Sequence, residues 1–436
     1  MELIISALLG TFSGAIVGLL PGFGLTLCLL IVFPLLIKQS LIFCLLFYCC
    51  ASSASQYFGS VTTLSFRIPG ETTSLPLLEL MKDKDFLKRI DDVYFLTSFG
   101  SFFASLFSGI IILIFYEILL TFTVYLKTYI IFIFCILGFF LCIAFSSNRL
   151  TTSFILFFGG WVISKIGYDQ INNINFLTFN NVYLYGGIPT IPLIMGLYAI
   201  PSLIKMISYT KKIESTNDIL NKFSHTKVQL ILSNYKTIIF SSIIGFFMGL
   251  LPYVGSSMSS YVSFFFDKKK KTKDLVSNAV ASETANNAAN ISVLIPLIFL
   301  GIAIIPSEFL LLEILPLGNN SLTIEKIEPY YTSMFVLLFF SNVLCFYSSW
   351  LLIKPIKSLL IATTYVLPIF LISFVLVGIM YIGNSYVQLE YYLFVFTISS
   401  FFGLILKKLD LIPFMYAFML QNHYEGILYK ITHIYF

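Results

Sequence analysis

The segment Gly18–Gly24 (GLLPGFG) interrupts a long apolar run close to the first residue of the chain. Proline lacks a backbone N–H and glycine adopts backbone angles closed to other residues, so this combination predicts a broken helix. Gly249–Gly255 (GLLPYVG) repeats the pattern, and the numbers of the two prolines differ by 252 − 21 = 231. A similar break in two distant apolar regions indicates an internal duplication.

A second pair of segments recurs at the same spacing. Ala51–Leu64 (ASSASQYFGSVTTL) is a polar run within apolar sequence, and the same offset places Ser282–Ile295 (SETANNAANISVLI) on it. Two unusual features that recur at one spacing predict two related halves. We assign residues 1–204 to a first transmembrane repeat, 205–230 to a polar cytoplasmic linker and 231–436 to a second transmembrane repeat.

The composition indicates a membrane protein. Hydrophobic residues make up 58% of the chain and charged residues 11%, whereas a soluble domain is about one quarter charged. Continuous apolar runs approach the roughly 20 residues that a helix needs to span a bilayer, and they lack the alternation of barrel strands. We predict an all-α polytopic membrane protein with roughly 10–14 membrane segments. The clearest runs are 3–20, 94–120, 128–145, 236–251, 332–353 and 358–382.

Other global features exclude several function classes. The net charge of +5 comes mainly from lysines in loops, and no basic stripe alternates with aromatic residues, so we expect no nucleic acid partner. The seven cysteines lack metal-ligand spacing and the three histidines are isolated, so we expect neither a metal site nor a cofactor. Met1-Glu2 leads straight into an apolar run without a cleavage site, which predicts a retained first helix.

The charged loops predict the relative orientation of the halves, because lysine-rich loops prefer the cytoplasm. The basic cluster 82–92 corresponds to 313–323 in the second half, which holds no Lys or Arg. The basic run 268–273 corresponds to 37–42, which holds Lys38 alone. Basic loops thus occupy opposite places in the two halves, which predicts two inverted repeats.

The two predicted breaks have the chemistry of an anion site. Helices that restart at Leu25 and Ser256 would direct N-terminal amides and partial positive charge into the breaks. A carboxylate fits such a break, and a tight turn between two helices at the membrane surface is the alternative. The residues that we assign to the breaks are Pro21, Gly22, Gly24 and Gly255.

The two polar runs supply the other candidate groups, because polar side chains in hydrocarbon are costly unless they pair or line a wet cavity. Hydroxyl and amide oxygens at this density can replace the hydration shell of Na⁺, and the N–H and O–H groups can hold a carboxylate. The alternative is hydrogen bonding between helices. The candidate substrate- or ion-binding residues are Ser55, Gln56, Ser60, Thr62, Thr63, Glu283, Asn286, Asn287 and Asn290.

Arg67 is a separate candidate, since it stands with Glu71 on either side of Pro69-Gly70 just beyond the first polar run. Its guanidinium group can contact an anionic substrate or pair with Glu71. Alternatively, the side chain extends to the membrane interface beside the loop 82–92.

At these residues the sequence resembles TctA, the large membrane subunit of the tripartite tricarboxylate transporters. In the first half, Leu20–Gly24 matches the family's L-P-G-x-G, and Tyr57–Thr63 with Arg67–Glu71 occupies the place of its polar segment and N-x-P-G-E signature. In the second half, Leu251–Gly255 and Ser282–Ala289 are similar to a further L-P-G-x-G and to P-E-x-x-N-N-A-A. With Gly196–Pro201 and Gly403–Leu409, the resemblance extends over nearly the whole chain.

The sequence departs from the family pattern at three places. Tyr253 replaces the glycine of the second motif, Arg67 stands where the family usually has Asn, and Leu300–Ile305 (LGIAII) replaces L-G-I-P-G-S. These departures leave the substrate and the dependence on partner subunits open.

The resemblance implies a secondary active transporter that imports a small carboxylate across the bacterial inner membrane with Na⁺ or H⁺. It also implies two partners besides membrane lipid: a small four-helix membrane subunit and a periplasmic solute-binding protein. No G-x-x-x-x-G-K-[ST] motif occurs, so we do not expect ATP to drive transport directly. In such a transporter the broken helices would meet near the midplane and one half would move against the rest.

Two alternatives to a transporter stay open at this point. A membrane-embedded enzyme would need a nucleophile, an acid–base pair or a metal, and Glu283 is the one attractive carboxylate in a polar membrane segment. A degenerate homologue acting as a scaffold is the other.

Overall fold

A computed structural model describes residues 1–20, 24–66, 72–144, 146, 148–169, 174–201, 204, 226–251, 255–269, 274–300, 306–314, 327–353, 355 and 386–418. Most of the predicted linker lies outside these ranges, and so do the candidates Pro21, Gly22 and Arg67. Residues 227–230, which we assigned to the linker, form the first turn of a helix. Thr226 caps it through reciprocal hydrogen bonds with Gln229.

Helices make up most of the described residues. In the first half they are α1 (Glu2–Leu19), α2 (Gly24–Leu36), α3 (Leu41–Phe66), α4 (Leu75–Leu80), α5 (Lys84–Lys88), α6 (Ile90–Ala144), α7 (Leu150–Ser164) and α8 (Thr190–Ile194). In the second half they are α9 (Lys227–Gly249), α10 (Gly255–Lys268), α11 (Leu275–Ser292), α12 (Pro306–Ile314), α13 (Tyr331–Leu351) and α14 (Tyr386–Ile405).

Short elements connect these helices. A hairpin pairs β1 (Gly167–Asp169) antiparallel with β2 (Ile174–Phe176), so that Gly167 faces Phe176. Turns of π-helix cover Met195–Ala199 and Pro296–Leu300. Turns of 3₁₀-helix cover Thr72–Ser74, Val182–Leu184 and Glu328–Tyr330.

Within the described ranges, six helical stretches are long and apolar enough to cross a membrane. They are Glu2–Leu19, Leu41–Ser65, Ile90–Ile118, Lys227–Gly249, Glu328–Leu351 and Gln388–Ile405. Large apolar side chains such as Phe12, Ile155 and Phe340 are exposed on the outer faces of their helices, as lipid contact requires. The prediction of an all-α polytopic membrane protein is confirmed. The total number of segments stays a prediction, since 358–382 lies outside the described residues.

The first three helices of each half follow the same order. α1, α2 and α3 recur as α9, α10 and α11, and the glycines at which α2 and α10 begin differ in number by 255 − 24 = 231. Gly24 and Gly255 have φ of +64° and +46°, in the left-handed region that side chains with a Cβ disfavour. The backbone therefore requires glycine at the point where each of these helices begins.

Small residues let α1 lie directly on α3, and α9 on α11. A Cβ on Gly14 would overlap the carbonyl oxygen of Ala51, and a Cβ on Gly245 would overlap that of Ala285. Such close backbone approach is a common way for helices to pack in lipid. The two glycines differ in number by 245 − 14 = 231, as the sequence alignment requires, but the residues that they contact differ by 285 − 51 = 234. Structurally equivalent residues of α3 and α11 are therefore 234 positions apart, three more than in the sequence alignment.

α3 and α11 cross at the centre of the molecule with opposite chain directions. Hydrogen bonds between their side chains join Ser52 to Asn290, Gln56 to Asn286, and Ser60 to Glu283. The residue numbers rise along α3 while they fall along α11, so the two helices are antiparallel. α6 packs against α11 and α13 packs against α3, which encloses the crossing.

A second group of helices lies beside this centre. Gly160 of α7 packs against Phe414 in the helical segment 412–418, and Gly403 of α14 packs against Leu197. Helices of the first and second halves therefore pack against each other here as well as at the central crossing.

Candidate functional site

The candidate side chains of the two polar runs lie at the α3–α11 crossing, and all of them are buried. None is more than 6% exposed, although each carries a hydroxyl, amide or carboxyl group. Buried polar groups are retained where they pair or bind a ligand. The candidates in this cluster are Ser55, Gln56, Ser60, Thr62, Thr63, Glu283, Asn286, Asn287 and Asn290.

Two equivalent hydrogen bonds join α3 and α11 at the centre of the crossing. Ser52 Oγ donates to Asn290 Oδ1 at 2.6 Å, and Asn286 Nδ2 donates to Gln56 Oε1 at 2.6 Å. With the structural offset, Asn286 is the equivalent of Ser52 (286 − 52 = 234) and Asn290 that of Gln56 (290 − 56 = 234). Each bond is thus the counterpart of the other, the self-complementary pattern of a two-fold contact.

Glu283 lies at one end of this cluster. The Ser60 hydroxyl donates a short hydrogen bond to Glu283 Oε2, and the same hydroxyl is 3.1 Å from the carbonyl oxygen of Gln56. A narrow cleft lined by Tyr57, Tyr94, Thr97, Ser98 and Ser101 opens beside Ser60. The carboxyl group is therefore held by a hydroxyl of the opposite helix next to a polar cleft.

Asn287 is fixed by two neighbours. Its Nδ2 donates to Ser101 Oγ on α6 at 2.8 Å and to the carbonyl oxygen of Glu283 at 3.0 Å. Gly100 makes this approach of α6 possible, because a Cβ there would overlap the Thr284 hydroxyl. Since a carbonyl oxygen only accepts, the amide nitrogen must face it, and the orientation of the amide is set.

Five buried oxygens in asparagine, serine and threonine side chains of α11 have no hydrogen-bond partner among the described residues. They are Asn278 Oδ1, Ser282 Oγ, Thr284 Oγ1, Asn286 Oδ1 and Asn287 Oδ1. A buried acceptor without a partner costs about 1–3 kcal/mol, so a cluster of them calls for an occupant. Carbonyl oxygens whose own N–H groups are already engaged are suited to a cation or to a ligand that donates hydrogen bonds.

Not every candidate side chain reaches across the crossing. Ser55 Oγ donates to the carbonyl oxygen of Ser52 and Thr63 Oγ1 to that of Gly59, both within α3. Thr62 Oγ1 instead donates at 3.0 Å to Gly18, the last glycine of α1 before the break. Gln56 is further held by Thr73 Oγ1 at 3.0 Å, which ties the turn after residues 67–71 to the cluster.

Gly18 in α1 and Gly249 in α9, which precede the two predicted breaks, lie at opposite ends of the polar crossing, whereas the break residues 21–23 and 252–254 lie outside the described residues. Gly18 lies beside Thr62, whereas Gly249 packs against Ala289 and Ser292. Ser292 lies nine positions beyond Glu283, about 14 Å along the helix. The antiparallel crossing is the reason, since it carries equivalent ends of the two repeats to opposite ends of the shared polar run.

Sequence reasoning missed contributions from α6 and α13. Asn342 Oδ1 accepts hydrogen bonds from Ser53 at 2.8 Å and from Tyr57 at 3.2 Å, and Ser101 holds Asn287. The isolated Asn342 within the apolar run 332–353 could have indicated the contribution of α13. The serines of α6 gave no comparable signal, because single serines are ordinary in membrane helices.

Comparison with known proteins identifies the family. The chain matches the tripartite tricarboxylate transporter TctA family over residues 4–416. It belongs to the TctA family. The chain is also similar to a protein of Agrobacterium vitis described as an uncharacterized 52.8 kDa protein in the TAR-I ttuC' 3' region, with 23% identity over 326 residues. That match covers 72% of this chain but 64% of the relative, so the chain spans less than two thirds of the relative's length. No solved structure matches the chain.

TctA is a family of transporter components, so membership in it favours transport over the membrane-embedded enzyme that the sequence left open. Among the residues that the structure describes, no three His, Cys, Asp or Glu side chains are grouped so as to hold a metal ion.

Proposed function

We propose that this TctA protein is a secondary active transporter that imports a small carboxylate across the bacterial inner membrane together with Na⁺ or H⁺. The observation that carries the proposal is the buried crossing of α3 and α11, where Asn286 Oδ1 and Asn287 Oδ1 have no hydrogen-bond partner among the described residues. Polar groups at membrane depth mark solute and ion paths.

The proposed architecture consists of two inverted repeats. Arg89 Nη1 lies 3.1 Å from Asp274 Oδ1 and Lys268 Nζ lies 2.6 Å from Glu79 Oε1, so the predicted basic loops 82–92 and 268–273 are neighbours. These loops follow different helices of their repeats, and loops on the same side of the membrane require the repeats to run in opposite directions. The antiparallel crossing of α3 and α11 supports the same arrangement.

The two parts of the proposed site differ in chemistry. α2 and α10 each begin at a left-handed glycine, Gly24 and Gly255, and the first amides of each helix have no acceptor within their own helix. A carboxylate fits these helix ends, whereas the amide oxygens of Asn286 and Asn287 suit a cation or a hydrogen-bond donor. Substrate and coupling ion would thus bind to neighbouring elements of one repeat, so that each favours the binding of the other.

The proposed transporter works with two partners. Family membership implies that this subunit acts with other subunits in general. We assign these roles to a small four-helix membrane subunit and a periplasmic solute-binding protein that delivers the carboxylate. Arg67, which follows Phe66 in the sequence, is a proposed contact for the anionic substrate.

Reconstitution tests this function. The purified protein is placed in proteoliposomes, with and without the two partners, and uptake of labelled di- and tricarboxylates is followed under a Na⁺ gradient, a pH gradient or neither. Gradient-dependent accumulation of one carboxylate is the expected result. Failure of every carboxylate to accumulate with both partners present would contradict the proposal and favour a scaffold role.

A further inference from the structure

A second buried carboxyl group lies in the membrane region, outside the crossing described above. Helix α12 places Ser307 and Glu308 against α3, where the Tyr48 hydroxyl approaches Ser307 Oγ at 3.3 Å and Glu308 Oε1 at 3.5 Å. Tyr48 and Glu308 are fully buried and Ser307 is 2% exposed. Tyr48 precedes Ser60, the partner of Glu283, by twelve positions, about 18 Å along α3. The two buried glutamates therefore mark opposite ends of the polar run.

The surroundings of Glu308 are mainly apolar. Leu310 and Leu311 of the same helix are fully buried, and α12 packs against α2 and α8, whose residues include no Asp, Glu, Lys, Arg or His. The titratable groups that interact with Glu308 from α3 are Tyr48 and Cys49, and Cys28 is the titratable residue in the sequence of α2. Glu308 lies in the first turn of α12, and its carboxyl group is shielded from bulk water.

The carboxyl group breaks the symmetry of the two repeats. The structural offset found at the crossing also aligns Leu311–Ile314 (LLEI) with Leu77–Leu80 (LLEL), since 311 − 77 = 234. On this alignment Ser307 and Glu308 correspond to Thr73 and Ser74. Both repeats thus carry a hydroxyl residue followed by a buried polar residue, but only the second repeat carries a carboxyl group there. A charge present in one repeat alone gives the two ends of the transporter different chemistry.

We propose that Glu308, which accepts a hydrogen bond from the Tyr48 hydroxyl, is a proton-binding site of the transport cycle. The inference rests on the proposed transport function and assigns H⁺ as a coupling ion. One proton adds to the carboxylate from water on one side of the membrane and leaves to water on the other, and no other bond changes. Because α12 belongs to the second repeat and Tyr48 to the first, protonation alters a contact between the two repeats. The proton thereby biases their relative movement.

A proton fits this site. Among the residues that the structure describes, Glu308 belongs to no group of three or more His, Cys, Asp and Glu side chains that could hold a metal ion. The Tyr48 hydroxyl can donate to the carboxylate and can accept from the protonated acid, so both protonation states keep a hydrogen bond.

The test compares wild-type protein with Glu308→Gln. The control is Glu390→Gln, which removes a carboxyl group on the exposed side of α14. Proteoliposomes receive a gradient of about one pH unit, which can sustain about tenfold accumulation for each coupled proton. The substrate is whichever labelled carboxylate the wild-type protein exchanges without a gradient. We expect Glu308→Gln to retain this exchange within about twofold while its accumulation ratio falls to about one, and Glu390→Gln to behave as wild type.

Three outcomes would overturn the inference. They are accumulation by Glu308→Gln that still follows the pH gradient, loss of exchange together with accumulation in a folded variant, or wild-type accumulation that follows a Na⁺ gradient alone. Absence of exchange by the wild-type protein would instead count against the proposed transport function. Infrared difference spectra between acidic and alkaline buffer then test the site without transport. A carboxylic C=O band present in wild type must be lost in Glu308→Gln, and its persistence would also overturn the inference.

Discussion

Ser52 on α3 donates a 2.6 Å hydrogen bond to Asn290 on α11, a residue 238 positions away. The equivalent bond joins Asn286 to Gln56, so the two related halves meet through a contact that each contributes in the same way. Two-fold contacts of this kind ordinarily join separate subunits. Here they lie within one chain, at the place where the sequence duplication predicted related polar groups.

Removal of the Ser52 hydroxyl is expected to destabilise the protein. Ser52→Ala leaves the buried Asn290 acceptor without its donor, which costs about 1–3 kcal/mol in free energy of unfolding. Thermal unfolding in detergent measures the change. Ser348→Ala is the control, since Ser348 is bonded to the carbonyl oxygen of Leu344 on its own helix and should change stability by less than about 0.5 kcal/mol. Equal effects of the two substitutions would mean that the crossing bond contributes nothing.

Gly14 is expected to tolerate no side chain. The Cβ of Gly14→Ala would overlap the main chain of Ala51, so α1 must move away from α3 at a cost of about 1–3 kcal/mol or more. Gly186→Ala is the matched control, because no atom lies within 4 Å of a Cβ at that position. The yield and melting temperature of the purified variants report the difference. A Gly14→Ala protein as stable as Gly186→Ala would refute the close packing of these helices.

The contact between the basic loops predicts the topology. Single cysteines at position 85 of α5 and at position 269 after α10 should react with an impermeant thiol reagent from the same side of the membrane, and a cysteine at position 320 from the other. The six described native cysteines are buried, which keeps the background low. Labelling of positions 85 and 269 from opposite sides would exclude inverted repeats.

The loop contact allows a sharper form of the same test. Arg89 and Asp274 lie 3.1 Å apart between their charged atoms, so the double variant Arg89→Cys/Asp274→Cys should be cross-linked by a short bifunctional thiol reagent. Neither single variant can form this cross-link, and both serve as controls. A double variant that stays uncross-linked would place the loops apart.

Much of this fold could be predicted from the sequence. Hydropathy predicted membrane helices, and the Pro-Gly motifs predicted the breaks that Gly24 and Gly255 border with left-handed backbone. The sequence alignment paired the polar residues of α3 and α11 at an offset of 231, whereas the structure pairs them at an offset of 234. The first residues of α3 and α11, Leu41 and Leu275, differ in number by 275 − 41 = 234, so the extra residues lie before α11. Composition alone does not reveal such an insertion, because neighbouring turns of a polar helix look alike.

Partners of the site that come from elsewhere in the chain were harder to predict. Ser101 and Asn342 contact the crossing only because α6 and α13 pack on it, and no local pattern encodes that packing. Glu308 was overlooked because it lies close to the acidic polar stretch 313–328, where a carboxylate is expected in water. The structure buries it against Tyr48 instead.

The amide of Asn287 is the group on which the proposed transport site depends most directly. Uptake of the transported carboxylate is compared among wild type, Asn287→Ala and Asn234→Ala, where Asn234 is an equally buried asparagine bonded to Leu230 of its own helix. Asn287→Ala removes one charge-assisted contact worth about 1.5–3 kcal/mol, so we expect its apparent affinity for the transported solute to be at least about tenfold weaker. Asn234→Ala should stay within about twofold of wild type. Wild-type uptake by a folded Asn287→Ala protein would contradict the assignment of the α3–α11 crossing as the transport site.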